Sequence, residues 1–387
     1  MVAEFSRRTL IHGTAAVGAV LLSRHRALAV EAEISDATII RASGIRASGH
    51  YRGWPTLTRR KNGELLLVCS GGREDHVCPF GRVELQRSQD EGRTWSFPRV
   101  VMDGPIDDRD AGVLETANGS ILITTFTSLA YEPILHEREK TRIWPAEKLQ
   151  KWQAAHNRVS ADGRKAALGV WMIRSTDGGV TFSRPYSPLV NSPHGPVQLS
   201  DGRLLYAGKE LWHGDNRIGV SISRDDGQTW QWLAPIPTCP GDSHENYHEL
   251  HAVEAAIGKL IVHIRNHNAN NSGETLQCES DDGGTTWSTP HSIGVWGLPS
   301  HLLRLADDRL LMTYGHRRKP LGNQARVSEN HGKTWSEPMI ISGDGTSGDL
   351  GYPTSVQLPG GDLLSVWYER IAGSDKAVLR QARWKIS

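Results

Sequence analysis

Five short stretches, SQDEGRTW (88–95), STDGGVTF (175–182), SRDDGQTW (223–230), SDDGGTTW (280–287) and SENHGKTW (328–335), share the pattern Ser-x-Asp-x-Gly-x-Thr-aromatic, with Asn330 replacing Asp in the last. Such a repeat constrains the fold strongly, because each copy must build the same small unit and the units must stack to bury a common core. Within a copy, the Asp side chain accepts hydrogen bonds from its own turn, the glycine supplies a positive φ, and the aromatic ring folds back as an apolar plug. The boxes are therefore structural staples, and their aspartates are not expected to be catalytic or to bind calcium.

The boxes starting at 175, 223, 280 and 328 are 48, 57 and 48 residues apart, the length of one four-stranded propeller blade. Six alternating strand-turn-strand phrases accompany them: LTRRKNGELLLV (57–68), LETANGSILIT (114–124), VQLSDGRLLYAG (197–208), VEAAIGKLIVHI (253–264), LLRLADDRLLMTY (302–314) and VQLPGGDLLSVWY (356–368). Period-two apolarity around Asn-Gly, Asp-Gly and Gly-Gly turns marks hairpins. The expected fold is all-β, a six-bladed β-propeller whose last blade is closed by pairing a strand near 37–46 with a C-terminal strand around 376–384. The 87 residues between the first two boxes exceed one blade and predict an insertion at about 131–166 in the second blade. Pro145 followed by strong helix formers in PAEKLQKWQAAHNRV (145–159) predicts a helix there.

Residues 1–29 have a different character. The paired Arg7-Arg8, a mildly apolar stretch and Ala27-Leu28-Ala29 are expected to form a twin-arginine signal, placing residues 30–387 in the periplasm or outside the cell. With 44 Lys+Arg against 43 Asp+Glu, bulk charge offers nothing to a nucleic acid or a membrane surface, and the first apolar run is too short to span a bilayer. Neither a nucleic-acid partner nor membrane insertion is expected. Cys69, Cys78, Cys239 and Cys278 are too few for a disulfide framework; the first two could close a short loop, or all four could be free thiols.

Three further phrases carry chemistry. HELHAVEAAIGKLIVHIRNH (248–267) opens with Glu249, passes Val253-Glu254 and Gly258, and reaches Arg265 sixteen residues on; GYPTSVQLPGG (351–361) carries Tyr352; YRGWPTL (51–57) carries Arg52. Together with the boxes they resemble the sialidase (neuraminidase) superfamily across essentially the whole region after residue 29. That resemblance implies an exo-acting retaining glycosidase releasing a terminal acidic sugar, sialic acid first, with Tyr352 as nucleophile, Glu249 as its base partner and Asp75 as the acid. It also implies a carboxylate clamp of Arg52, Arg265 and Arg317, although YRGWP has one residue more between Arg and Pro than the family phrase and Arg317 is displaced by a few residues. Arg73, His76, His248 and His251 are further candidates for substrate contact, and His76 is an alternative acid. Glu254 reads as a turn or edge charge.

Tyrosine suits such a substrate because a sugar that bears its own carboxylate at the anomeric carbon repels a carboxylate nucleophile. A free phenol, with a pKa near 10, needs a carboxylate to take its proton. The reaction calls for no cofactor and no metal, and H-E-x-H (248–251) lacks the helical i, i+4 spacing of a zinc protease. The implied partner is a glycan with a terminal acidic sugar, bound by a monomer. The histidines at strand entries (His194, His248, His251, His267, His301, His316) keep two other readings open: a lyase that cleaves uronic-acid glycans by β-elimination, and a non-catalytic glycan-binding propeller.

Overall fold

The computed structural model describes residues 36–45, 49–212 and 214–387; the signal expected at 1–29 lies outside them. Six sheets follow one another along the chain. Blade I is Tyr51–Arg59, Leu65–Arg73, Arg82–Ser88 and Arg99–Met102; blade II is Asp107–Glu115, Ile121–Ser128 and Val170–Ser175; blade III is Val197–Gln198, Leu204–Lys209, Ile218–Ser223 and Gln231–Pro235. Blade IV is Tyr247–Ala256, Lys259–Asn266, Glu274–Ser280 and His291–Trp296, and blade V is Ser300–Arg304, Leu310–His316, Gly322–Ser328 and Met339–Ser342. Blade VI combines Leu350–Gln357, Leu363–Arg370 and Ala377–Ile386 with the early strand Ala37–Ile45, which pairs antiparallel from Ala37↔Ile386 to Ile45↔Leu379. The six-bladed ring is therefore closed by the two ends of the propeller, as the repeat predicts.

Apolar faces of neighbouring blades make the core. Leu66, Val68, Val83 and Leu85 of blade I meet Val113, Ile121, Ile123 and Ile173 of blade II, each burial contributing about 1.5–3 kcal/mol before entropy is counted. The boxes act as staples. In the first, Ser88 Oγ donates to Asp90 Oδ1 (2.8 Å) and accepts from the Gly92 amide (2.9 Å), while Thr94 donates to Asp90 from its amide and its hydroxyl. Glu254 is likewise structural, accepting from the amide and hydroxyl of Ser200 on blade III.

The insertion in blade II forms three helices, Glu132–Thr141, Ala146–Asn157 and Ala161–Ala166. Trp152 is its anchor: buried beside Cys78, Tyr131 and Leu135, it donates from Nε1 to Glu74 Oε2 at 2.8 Å. Lys151 also reaches Glu74, so the insertion is fastened to the loop that follows the second strand of blade I. All four cysteines are free, so Cys69 and Cys78 close no loop.

Candidate active site

One local device recurs in four blades. The inner strands of blades I, II, IV and VI each carry one extra residue relative to their neighbour: Gly53 to Thr56 faces Ser70 to Val68, Arg109 to Gly112 faces Phe126 to Thr124, His248 to His251 faces Arg265 to His263, and Gly351 to Thr354 faces Tyr368 to Val366. In each bulge one side chain sits at positive φ: Trp54 (53°), Asp110 (49°), Glu249 (44°) and Tyr352 (52°). A bulge re-aims a side chain, and left-handed backbone at bulky residues costs of order 1–3 kcal/mol. The fold thus bears strain four times over to direct a tryptophan, two carboxyls and a phenol toward one another.

Tyr352 and Glu249 meet directly. The phenol donates to Glu249 Oε1, and Arg265 Nη1 donates both to Glu249 Oε2 (2.5 Å) and to Tyr352 Oη (2.9 Å). His267 Nε2 accepts from Arg265 Nε at 2.9 Å and fixes that guanidinium from behind. Burial and then the Glu249 charge push the Tyr352 phenol well above its ordinary pKa. Burial would raise Glu249 too, but Arg265 and the phenol hydrogen bond outweigh it and hold the carboxyl low. The resting pair is a neutral phenol hydrogen-bonded to a carboxylate, poised for a proton to pass as the oxygen attacks. Arg317, whose charge also reaches Glu249, donates from Nε to Leu350 O (3.1 Å).

The other expected positions are redistributed. Arg52 does not join Arg265 and Arg317: it is buried against Glu84, with Nε to Oε2 at 2.9 Å. The extra residue in YRGWP explains this, since a one-residue shift in a period-two strand sends a side chain to the opposite face. Trp54 occupies the bulge position instead, its ring under the guanidinium of Arg109 (4.6 Å) and near that of Arg73 (5.0 Å), and 6.4 Å from Tyr352. Arg73 itself is wholly buried and bidentate to Asp107 (2.6 and 2.9 Å), so it is a structural ion pair rather than a substrate contact. Asp75 is partly exposed and is tied to Lys148 of the insertion at 3.1 Å. His76, one residue on, stands edge-on to Trp54 (5.0 Å) and shares Nδ1 with Tyr51 Oη (3.0 Å) and Asp349 Oδ1 (2.8 Å).

Asp110 was not among the expected residues. It is buried, its Oδ1 has no hydrogen-bond partner, and desolvation sets its carboxyl at about 7, with Arg109 lowering it and Glu249 raising it. A sequence signal for it exists: Trp54, Asp110, Glu249 and Tyr352 each stand nine residues before a turn glycine, namely Gly63, Gly119, Gly258 and Gly361.

His248 lines a cavity of about 280 Å³ beside Glu249 and is held down to about 4 by burial and then by Lys209. His251 points elsewhere. It accepts from the Leu302 amide at Nδ1 (2.9 Å) and packs against His301 (4.6 Å) and His194 (5.3 Å), so it belongs to a buried trio rather than to the substrate surface. Burial holds all three imidazoles below their ordinary pKa, His301 at about 3. The sign follows: a depressed folded pKa gives stability that is present above about 6.5 and is lost as pH falls toward about 3. His301→Phe is therefore expected to reduce the loss of unfolding free energy between about pH 7 and pH 5 by about 2 kcal/mol, measured by urea titration at both pH values. An unchanged pH dependence would contradict the neutral buried state.

Residues 132–364 match the family model described as BNR repeat-like domain. Among solved structures, a Dyadobacter fermentans protein of unknown function superposes with a TM-score of 0.71 at 24% identity, covering 91% of this chain and 99% of that one. The Hadza microbial sialidase Hz136 gives 0.63 at 19% identity, with 89% and 68% covered. An intramolecular trans-sialidase from Ruminococcus gnavus gives 0.61 at 14% identity, with 89% and 96% covered. No curated protein matches the chain.

Proposed function

Since the chain belongs to the BNR repeat-like domain family and has a sialidase-type propeller, we propose that it is a retaining exo-glycosidase that releases a terminal acidic sugar, sialic acid first, through a Tyr352 glycosyl-enzyme. The observation that carries this reading is the closed contact among Tyr352, Glu249 and Arg265 at the strained ends of two inner strands. A phenol whose proton is already committed to a carboxylate suits nucleophilic attack at a carbon bearing an anionic group, and a binding protein has no use for it. Arg265 and Arg317 face the substrate carboxylate as guanidiniums matched to its planar geometry. As Tyr352 attacks the anomeric carbon, its proton passes to Glu249 and the leaving oxygen takes a proton from an acid; water then attacks the glycosyl-tyrosine bond and the proton movements reverse.

The acid in this reading is Asp110 rather than Asp75, because a carboxyl at about 7 is half protonated near neutral pH. Export by the N-terminal signal remains part of the proposal, since the substrate of such an enzyme is an extracellular glycan.

The test is hydrolysis of sialosides with good and poor leaving groups. Asp110→Asn is expected to lower kcat/KM for an alkyl sialoside by about 10²–10³-fold and for a 4-methylumbelliferyl sialoside by much less. It should also remove the limb of the pH profile that falls as pH rises through about 7. Equal losses on both substrates would exclude Asp110 as the acid. One observation favours a second reading: with Arg52 turned to Glu84, the expected three-arginine clamp is short by one. Two guanidiniums are enough for a uronate undergoing β-elimination, and an unsaturated, ultraviolet-absorbing product would identify that reaction.

A further inference from the structure

The cavity beside Glu249 contains charge that the mechanism above does not use. It opens between blades II, III and IV, and its walls include Arg109, Lys209, Asn191, Phe126, Leu211 and Trp212. The Arg109 guanidinium makes no hydrogen bond among the described residues: its Nε is buried without a partner, and its nearest carboxylate oxygen, Asp107 Oδ2, is 3.9 Å away and already taken by Arg73. Lys209 is 6% exposed, and its ammonium is answered only by the backbone carbonyl of Glu245 at 2.6 Å. The two acids on the same wall neutralise them only in part. Glu249 is engaged by Arg265 and Tyr352, and desolvation pushes Asp110 up to about 7. Arg109 is left with one distant, shared carboxylate and the Trp54 ring, and Lys209 with one carbonyl, so both keep donors that face the cavity and ask for an acceptor from outside the chain.

We infer that this cavity is a second anion subsite, in which Arg109 and Lys209 receive a carboxylate or sulfate ester on the substrate, beside the contact of Glu249 with Tyr352 and Arg265. The apolar part of the wall fits this assignment. Trp212, 44% exposed and fixed by an Nε1 hydrogen bond to Thr127 O (2.9 Å), offers a flat surface for the face of a sugar ring, with Phe126 and Leu211 beside it. The substrate class is thus a glycan with two anionic groups close together, and a lone terminal acid fills only half of the charged surface. The inference rests on reading this cavity as part of a sugar site, and its test reads binding rather than turnover.

The experiment is isothermal titration of the protein with three probes at fixed ionic strength: a disaccharide carrying one uronate and one sulfate ester, its desulfated counterpart, and a disaccharide of two uronates. The subsite predicts that the doubly charged probes bind at least about tenfold more tightly than the singly charged one. A preference shared by both dianions assigns the cavity to anions in general, and a preference confined to one identifies carboxylate or sulfate as its source. Lys209→Met and Arg109→Met should each erase the preference while Lys209→Arg retains it, which separates loss of charge from loss of fold. Arg317→Met should weaken all three probes alike. Equal affinities across the probes, no binding of any of them, or an undiminished preference in Lys209→Met would overturn the inference. Loss of sialoside turnover in Tyr352→Phe with equal probe affinities would sink the subsite and leave the glycosidase reading standing.

Discussion

Tyr352→Phe is expected to lower turnover of a 4-methylumbelliferyl sialoside by about 10⁴-fold or more while leaving the chain folded. The substitution removes one oxygen. The ring stays packed against Trp54 and Tyr368, and the Glu249–Arg265 ion pair beneath it has its own hydrogen bond. The loss should therefore fall on kcat, with KM little changed, because Arg265 and Arg317 remain to hold the carboxylate. Wild-type turnover that survives the substitution would remove Tyr352 as nucleophile; wild type inert toward sialosides but active on uronic-acid glycans would favour elimination. Glu249→Gln gives a useful companion, since the amide keeps the shape of the contact and cannot take the phenolic proton.

The fold was legible because its determinants are local and repeated. Each box needs only eight residues to make its turn, and each hairpin announces itself by alternation and a glycine, so counting them gives six blades and the early strand that closes the last. Tyr352, Glu249 and Arg265 were legible for a related reason: their phrases are contiguous in sequence, and the bulges that aim Glu249 and Tyr352 lie within those phrases. Arg52 was not. One added residue between it and Pro55 reverses the face it presents, and nothing local reveals whether the strand absorbs the residue in a bulge before or after the arginine.

Trp54 and Asp110 stand out by position in the repeat and not by residue chemistry. Counting nine residues back from each hairpin turn finds Trp54, Asp110, Glu249 and Tyr352 in four blades, and Pro193 and Pro299 in the other two, before Gly202 and Asp308, both at positive φ. The repeat therefore encodes the site as well as the scaffold. The contrast between Asp75 and His76 was beyond such counting, because it depends on the helical insertion: Lys148 pairs with Asp75, and Asp349 from blade VI draws His76 toward Trp54.

Arg73 provides the second large effect, and it separates a structural ion pair from a substrate contact. Arg73 and Asp107 are both fully buried, joined by two hydrogen bonds, and Arg73 also donates to Ser70 Oγ (2.9 Å) and to the carbonyls of Asp75 (3.3 Å) and His76 (3.1 Å). Arg73→Met leaves the buried Asp107 carboxyl with only Arg109, 3.9 Å away, to answer it and releases the loop that carries His76, so it is expected to cost about 3–5 kcal/mol of unfolding free energy. Asp107→Leu should cost a similar amount by stranding the guanidinium. The double variant Arg73→Met/Asp107→Leu removes both charges and should regain more than half of the sum, because two apolar side chains of similar volume avoid the desolvation that the pair suffers. Denaturant titration of the four proteins checks this. Had Arg73 been a substrate contact, the single substitution would instead raise KM with stability within about 1 kcal/mol of wild type. A strong coupling in the stability cycle would place this arginine in the frame that holds the rim of the site, one layer behind the residues that meet the sugar.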